Sequence, residues 1–271
     1  MSADTQSGRV QGNAPVVIVP GRYKGRVALV TGAAAGIGAT TARRLAAEGA
    51  ALALVDKDKD ALEQVASSCS GVVTTHVADV SNAEETARSF ESIIAKHGRV
   101  DIAVLNAGVE CRRAPIHETS IEDFDRVMAI NVRGVFLWLA RCMADMRQRE
   151  RGAIIITSST SGLRATPEMG PYTTSKHAVV GLMKSAALEG ARFGVRVNCL
   201  NPGPTETRMM DAINEDWGEL REVRARSEAK IPLGRYGAPE EMAALIAFLC
   251  SDEAAFCTGA TYLADGGILA G

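Results

Sequence analysis

Residues 27–56 restrict this chain to one kind of architecture. VALVT (27–31) is an apolar run of strand composition, and Gly32-Ala-Ala-Ala-Gly36-Ile-Gly38 follows without a break. ATTARRLAAEG (39–49) reads as an amphipathic helix stopped by glycine, and ALALV (51–55) resumes the strand pattern. Strand, glycine turn, helix and strand in that order form a crossover unit, whose two strands lie parallel in one sheet. Glycine admits positive φ and lets backbone N–H groups approach an anion at a helix N-terminus. The turn therefore reads as a cradle for a dinucleotide pyrophosphate, with Ala35 and Ile37 contributing backbone beside Gly32, Gly36 and Gly38. Its GxxxGxG spacing departs from the commoner GxGxxG.

The second strand ends at Asp56, 18 residues past Gly38. A carboxylate there accepts hydrogen bonds from ribose hydroxyls and repels a 2′-phosphate, which favours NAD over NADP. Lys57 beside it is the contrary signal, because a cation at that ribose tolerates the phosphate.

The same alternation continues. DALEQVASSC leads to a strand over 72–79, a helix over roughly 82–97 leads to IAVLNAG (102–108), and a long helical stretch from Ile121 ends at Gly152. AIIITSS is the next strand. Tyr172 opens another helix, Gly194 stops it, and RVNCLNPG follows. Residues 204–235 are charged and less regular, with one or two short helices expected. A last helix from Pro239 to about Leu249 and the strand ATYLA close the chain. Strands alternating with helices imply a doubly wound α/β fold of Rossmann type, a parallel seven-stranded sheet with helices on both faces. Ligands then bind beyond the carboxyl ends of the strands. Gly32, Asp56, Asp79, Asn106, Ser159 and Pro202 all fall at or just after such ends.

Composition narrows the partners. The 271 residues, 46% hydrophobic, suffice for one large α/β domain, and a net charge of −2 offers no general attraction to nucleic acid or anionic membrane. No apolar stretch is expected to reach membrane-spanning length, and no secretory leader is apparent. Cysteines 69, 111, 142, 199, 250 and 257 lack CxxC or metal-ligand spacing, so reduced thiols, a cytoplasmic location and no metal site are expected. Residues 1–24, polar and Gly-rich, read as a flexible extension, and 25–271 as the domain carrying both cofactor and substrate sites.

Tyr172 and Lys176 stand four residues apart in YTTSK, with Ser159 13 residues upstream. One helical turn puts phenol and ammonium on one face. A neighbouring cation should draw the phenol from its ordinary value near ~10 towards working pH, making it a proton donor and acceptor.

TGAAAGIG (31–38), Asp56, Asp79-Val80, Asn106-Ala107-Gly108, Asn131, Ser159, Tyr172-TTS-Lys176 and Asn201-Pro202-Gly203 occur here in one order. Together they resemble the short-chain dehydrogenase/reductase (SDR) family over about residues 25–267. The resemblance implies that Tyr172 is the general acid/base and that Ser159 bonds the substrate oxygen. It implies that Lys176 holds the nicotinamide-ribose hydroxyls and that Asn131 anchors a water behind Lys176. Asp79 and the Val80 backbone would meet the adenine, and Asn106, Ala107 and Gly108 would support the adenosine side and the ribose. PGPTET (202–207) would lie against the nicotinamide: Pro202 and Gly203 first, Thr205 near the carboxamide, Thr207 near the phosphates. The family usually carries Val or Ile where Thr205 stands. Local alternatives are that Asp79 caps the helix beginning near Asn82, that Thr207 caps a short helix, and that Asn131 bonds a nearby carbonyl.

The substrate pocket is expected from the loop after Gly108 (with Arg112 and Arg113), the stretch after Ser159, and the segment 204–235 as a loop or lid carrying Met209, Met210 and Trp217. The family also implies a homotetramer. The reading is an NAD-dependent oxidoreductase interconverting a secondary alcohol and a ketone. Its alternatives are an NADPH-dependent 3-oxoacyl-thioester reductase and, in another class, a non-catalytic dinucleotide-binding regulatory protein.

Overall fold

In the computed structural model, which describes residues 17–270, β1 (Val27–Thr31) pairs with β2 (Ala51–Asp56) and with β4 (Ile102–Leu105). Outside these lie β3 (Val73–Val77) on one side, then β5 (Gly152–Thr157), β6 (Val195–Pro202) and β7 (Thr261–Ala264) on the other. Among the described residues this is a seven-stranded sheet in the order β3-β2-β1-β4-β5-β6-β7, parallel throughout. The order reverses between β1 and β4, which opens a crevice at their carboxyl ends.

The central strands β1, β4 and β5 are near-continuous apolar runs because both of their faces are covered. Leu29, Ile154 and Ile156 enter one core with Trp138, Met146 and Met183, while Val30 and Ile155 enter the other with Leu45, Ile246 and Leu249. The period of two along a strand divides its side chains between these layers. Helices α1 (Gly36–Ala47), α2 (Lys59–Ser67) and α9 (Pro239–Cys250) serve the second core; α3 (Ala83–His97), α5 (Val135–Gln148) and α6 (Gly170–Ala191) serve the first. The segment 204–235 contains two short helices, α7 (Arg208–Asp216) and α8 (Leu220–Glu228).

Several expectations need correction. The helical stretch from Ile121 is not uniform: α4 (Ile121–Met128) passes through a wide π turn, Ala129–Gly134, before α5. It ends at Gln148, and Glu150, not Gly152, takes the positive φ of 52° that turns the chain. Gly152 instead opens β5, where a Cβ would lie 2.3 Å from Met146 Sδ. Helix α6 begins at Gly170, two residues before Tyr172.

The run Ile121–Gln148 is long and apolar enough to cross a membrane by length and composition, against the expectation that no stretch would be. Its apolarity is accounted for by Val127, Val135, Trp138, Cys142 and Met146, all buried against the protein. Residues ahead of residue 25 also make contacts with the folded body. Tyr23 is fully buried with its hydroxyl on the Ala247 carbonyl, and the Arg44 guanidinium reaches the Val17 carbonyl at 2.6 Å. The rest of the predicted extension, residues 1–16, lies outside the described residues.

Candidate active site

The glycine turn is built by close contact. Gly32 (φ +65°) and Gly36 (φ +52°) occupy the left-handed region, and a Cβ on Gly38 would lie 2.0 Å from the Gly32 carbonyl oxygen. Only glycine fits there. Asn106 holds the turn from β4: its Nδ2 donates to the Gly32 carbonyl at 3.3 Å. Thr31 Oγ1 accepts from the amides of Asn106 (3.1 Å) and Ala107 (3.2 Å), a role for Thr31 with no signal in the sequence pattern. Helix α1 starts behind Ala35 with no capping side chain and no acidic residue in its first turn. Such an N-terminus suits an anion, which tests well for a pyrophosphate.

Asp56 closes over the turn. Its carboxylate accepts from Ala34 N and Asp58 N, both at 3.1 Å, and each oxygen retains a lone pair for a hydroxyl. Lys57 is exposed beside it. Asp79 does not cap α3. Asn82 does, accepting from Glu84 N (3.0 Å) and Glu85 N (3.2 Å), while Asp79 binds the Ser81 amide (2.8 Å) and hydroxyl (2.7 Å). Val80 is buried against the π turn, where a Cβ on Gly134 would lie 3.0 Å from its methyl carbon.

The π turn explains Asn131. One extra residue in the turn lets its side chain meet the strand β4 loop like a backbone: Oδ1 accepts from Val109 N (2.8 Å) and Nδ2 donates to Val109 O (2.9 Å). The second Nδ2 hydrogen reaches Ser175 Oγ at 3.0 Å, and Ser175 donates to the Tyr172 carbonyl at 2.8 Å. Asn131 thus ties the loop under Gly108 to the helix carrying Tyr172.

Tyr172 lies buried among Cys111, Val127 and Met169, with the Ser159 side chain near enough to lower the phenol's proton affinity. Ser159 Oγ also accepts from Ser161 N at 3.1 Å, and Asn201 Nδ2 fixes the Ser159 carbonyl at 2.8 Å. The adjacent Ser158 faces away: its hydroxyl donates to the Lys176 carbonyl at 3.0 Å. Lys176 Nζ donates to Thr157 O at 3.1 Å and sits 5.5 Å from the Tyr172 ring centroid. Gly108 lies close to both side chains: a Cβ there would stand 3.2 Å from Asn131 Oδ1 and 3.4 Å from Lys176 Nζ.

The electrostatics reverse one expectation. Burial pushes the Tyr172 phenol up to about 12, with the neighbouring Ser159 side chain opposing and Glu110 adding to the rise. Burial also draws the Lys176 ammonium down to about 8. Desolvation disfavours both charged forms, and the nearby cation does not overcome it. At neutral pH the phenol holds its proton.

From the next loop, Gly203 packs on Asp265, where a Cβ would come within 2.7 Å of the backbone. Pro202 ends β6, Thr205 Oγ1 donates to Gly203 O at 3.0 Å, and Thr207 caps α7 by accepting from Met210 N at 3.3 Å. The Thr207 methyl lies 3.3 Å from where a Gly36 Cβ would stand, so this threonine adjoins the glycine turn as well. A cleft of about 600 Å³ opens nearby, lined by Arg112, Arg113, Ala114, Pro115, Glu168 and Asp216. Arg113 is ion-paired with Glu168 and stacks 5.0 Å from the Trp217 ring, a link across 204–235 that sequence reasoning missed. Among the described residues no group of three metal-ligating side chains occurs. All six cysteines are free thiols.

Comparison with known proteins agrees with this geometry. A family model described as Enoyl-(Acyl carrier protein) reductase matches residues 32–269. Levodione reductase of Leifsonia aquatica is 36% identical over 253 residues, covering 91% of this chain and 95% of that protein. A 3-oxoacyl-(acyl-carrier-protein) reductase of Thermotoga maritima is 36% identical over 251 residues, covering 92% and 99%. The crystal structure of an NAD+-bound xylitol dehydrogenase superposes with a TM-score of 0.88 at 34% identity, covering 90% of this chain and 99% of that one.

Proposed function

The chain belongs to the short-chain dehydrogenase/reductase family, and on that premise we propose that Ser159, Tyr172 and Lys176 interconvert a secondary alcohol and a ketone with NAD as redox partner. It is an oxidoreductase of CH–OH groups or the matching carbonyls, as its relatives are. A non-catalytic regulatory role is set aside accordingly.

The bound nicotinamide dinucleotide would supply the hydride acceptor for oxidation and the hydride donor for reduction. Gly32, Gly36 and Gly38, with the uncapped start of α1, would receive its pyrophosphate, and Asp56 its adenosine ribose. Asp79, Val80, Asn106, Ala107 and Gly108 line the adenosine side, and Pro202, Gly203, Thr205 and Thr207 the nicotinamide side. In reduction the Tyr172 O–H donates its proton to the substrate oxygen, while Ser159 donates a hydrogen bond to the same atom as charge gathers there. In oxidation the Tyr172 phenolate accepts the hydroxyl proton. Lys176 holds the nicotinamide ribose, and the remaining Asn131 Oδ1 lone pair is available to a water behind it.

The observation that carries this reading is a buried Tyr172 beside Ser159, with the buried Lys176 Nζ 5.5 Å from its ring and held on Thr157 O. The preference for NAD rests on Asp56, supported by the NAD+-bound relative. A 3-oxoacyl-thioester reductase using NADPH is the second reading, favoured by the Thermotoga relative and Lys57. Tyr172→Phe is the test: it should bind dinucleotide as the unaltered protein does and lose turnover of secondary alcohols. Retained turnover would overturn the assignment.

The segment 204–235 is the proposed substrate lid, held at its mouth by Trp217 on Arg113. A homotetramer is supported by exposed apolar side chains in two places: Phe136 and Leu188 on α5 and α6, and Phe248 and Leu263 on α9 and β7. The free thiols support a reducing compartment, the cytoplasm.

A further inference from the structure

A second polar cavity, of about 220 Å³, is lined by Arg26, Arg99, Asp101, Arg149 and Arg151. These residues immediately precede or open β1, β4 and β5, whereas Gly32, Asn106 and Ser159 follow the other ends of the same strands. The cavity is therefore on the side of the sheet opposite the candidate active site, and nothing in the proposed reaction uses it.

Its charge is incompletely balanced. Arg99 (2.9 Å) and Arg149 (3.0 Å) share Asp101, Arg149 also meets Asp145 (2.7 Å), and Arg26 and Arg151 (3.1 Å) share Asp252. Four guanidinium groups against these three carboxylates leave one positive charge. Donors are also in surplus: each guanidinium carries five N–H bonds, and Arg149 Nε is buried with no partner at all. Asp101 is already committed, accepting from Val27 N at 2.8 Å besides its two arginines. A forked cluster of guanidinium groups with spare donors is the donor set that phosphate oxygens take.

We propose that this cavity binds a compact oxyanion of the phosphate class, either inorganic phosphate or the phosphate group of a small monoester. The anion neutralises the surplus charge and bridges β1, β4 and β5 through their preceding arginines. Because only the folded chain assembles these groups, binding raises stability with ligand concentration.

The test uses the full chain saturated with NADH, so that the glycine turn is not available to the probe. Inorganic phosphate and glycerol phosphate are titrated separately by calorimetry and by thermal melting, against sodium chloride at matched ionic strength. Saturable binding and a rise in Tm beyond that given by chloride are expected, and the tighter of the two probes identifies the source. Arg151→Gln, at an exposed position, should weaken binding about tenfold, the loss of one charged hydrogen-bond partner. Asp252→Asn removes a competing carboxylate and should tighten it. A purely structural ion-pair network predicts the contrary: no saturable phosphate binding beyond chloride, or affinity unchanged in both variants. Either result would overturn the proposal.

Discussion

Ser158 and Ser159 are neighbours in sequence and are indistinguishable by type, yet the structure gives them opposite consequences. In Ser159→Ala the hydroxyl beside the Tyr172 phenol is lost, together with the cap on Ser161 N. Removing one preorganised donor from a developing oxyanion costs about 10²–10³ in kcat, or roughly 2.7–4 kcal/mol of transition-state stabilisation. In Ser158→Ala the lost bond is to the Lys176 carbonyl, which lies inside α6. A buried neutral hydrogen bond contributes about 1 kcal/mol, worth a Tm decrease of roughly 2–4 °C for a chain of this size. The assay is kcat on the fastest secondary alcohol from a panel, with melting curves and NADH affinity for both variants. Expected are two slightly destabilised variants, each having lost one local hydrogen bond, with little turnover for Ser159→Ala and near-normal turnover for Ser158→Ala. A hundredfold loss in Ser158→Ala with Ser159→Ala nearly unaffected would refute the assignment of the two hydroxyls.

With the phenol near 12, oxidation, which needs the phenolate, should climb about tenfold per pH unit from 6 to 8, while reduction stays nearly level; a level oxidative profile contradicts this. Lys176 is held near 8 when folded, below its unfolded value of about 10.4, so the unfolded chain binds more protons between these and its contribution to stability rises with pH across that window. Lys176→Met should remove that rise in denaturant titrations at pH 7.5 and 10. Gly38→Ala drives a methyl to 2.0 Å of a backbone oxygen that no side-chain rotation relieves, and should abolish NADH binding; retained binding counts against the proposed cradle. Saturating NAD should slow proteolysis within 204–235, and Trp217→Ala should cancel the protection; equal cutting with and without NAD contradicts the lid.

The strand and turn pattern was legible because its determinants are local. Apolar strands covered on both faces read as unbroken runs, Gly32 and Gly38 stand where no Cβ fits, and Gly36 takes a left-handed φ of +52°. The site residues were legible as types at spacings, but their environments were not. AINVRG has ordinary helical composition, and its π turn is set by pairing with Val109, 22 residues away in sequence. The phenol's raised value reflects burial among Cys111, Val127 and Met169, which the four-residue spacing to Lys176 cannot report. The same holds for Arg113, whose partners Glu168 and Trp217 come from distant segments and turn an apparently free loop charge into a clasp.

The glycine turn and Asp56 should bind a nicotinamide dinucleotide without a 2′-phosphate. Fluorescence titration with NADH and NADPH tests it directly, through energy transfer from buried Trp138 and from Trp217 at the cleft, and needs no knowledge of the alcohol. Much tighter NADH binding is expected, with the preference falling in Asp56→Asn, which removes the charge but keeps an acceptor for Ala34 N. Tighter NADPH binding would mean that Lys57 governs the site, and binding of neither would contradict the account.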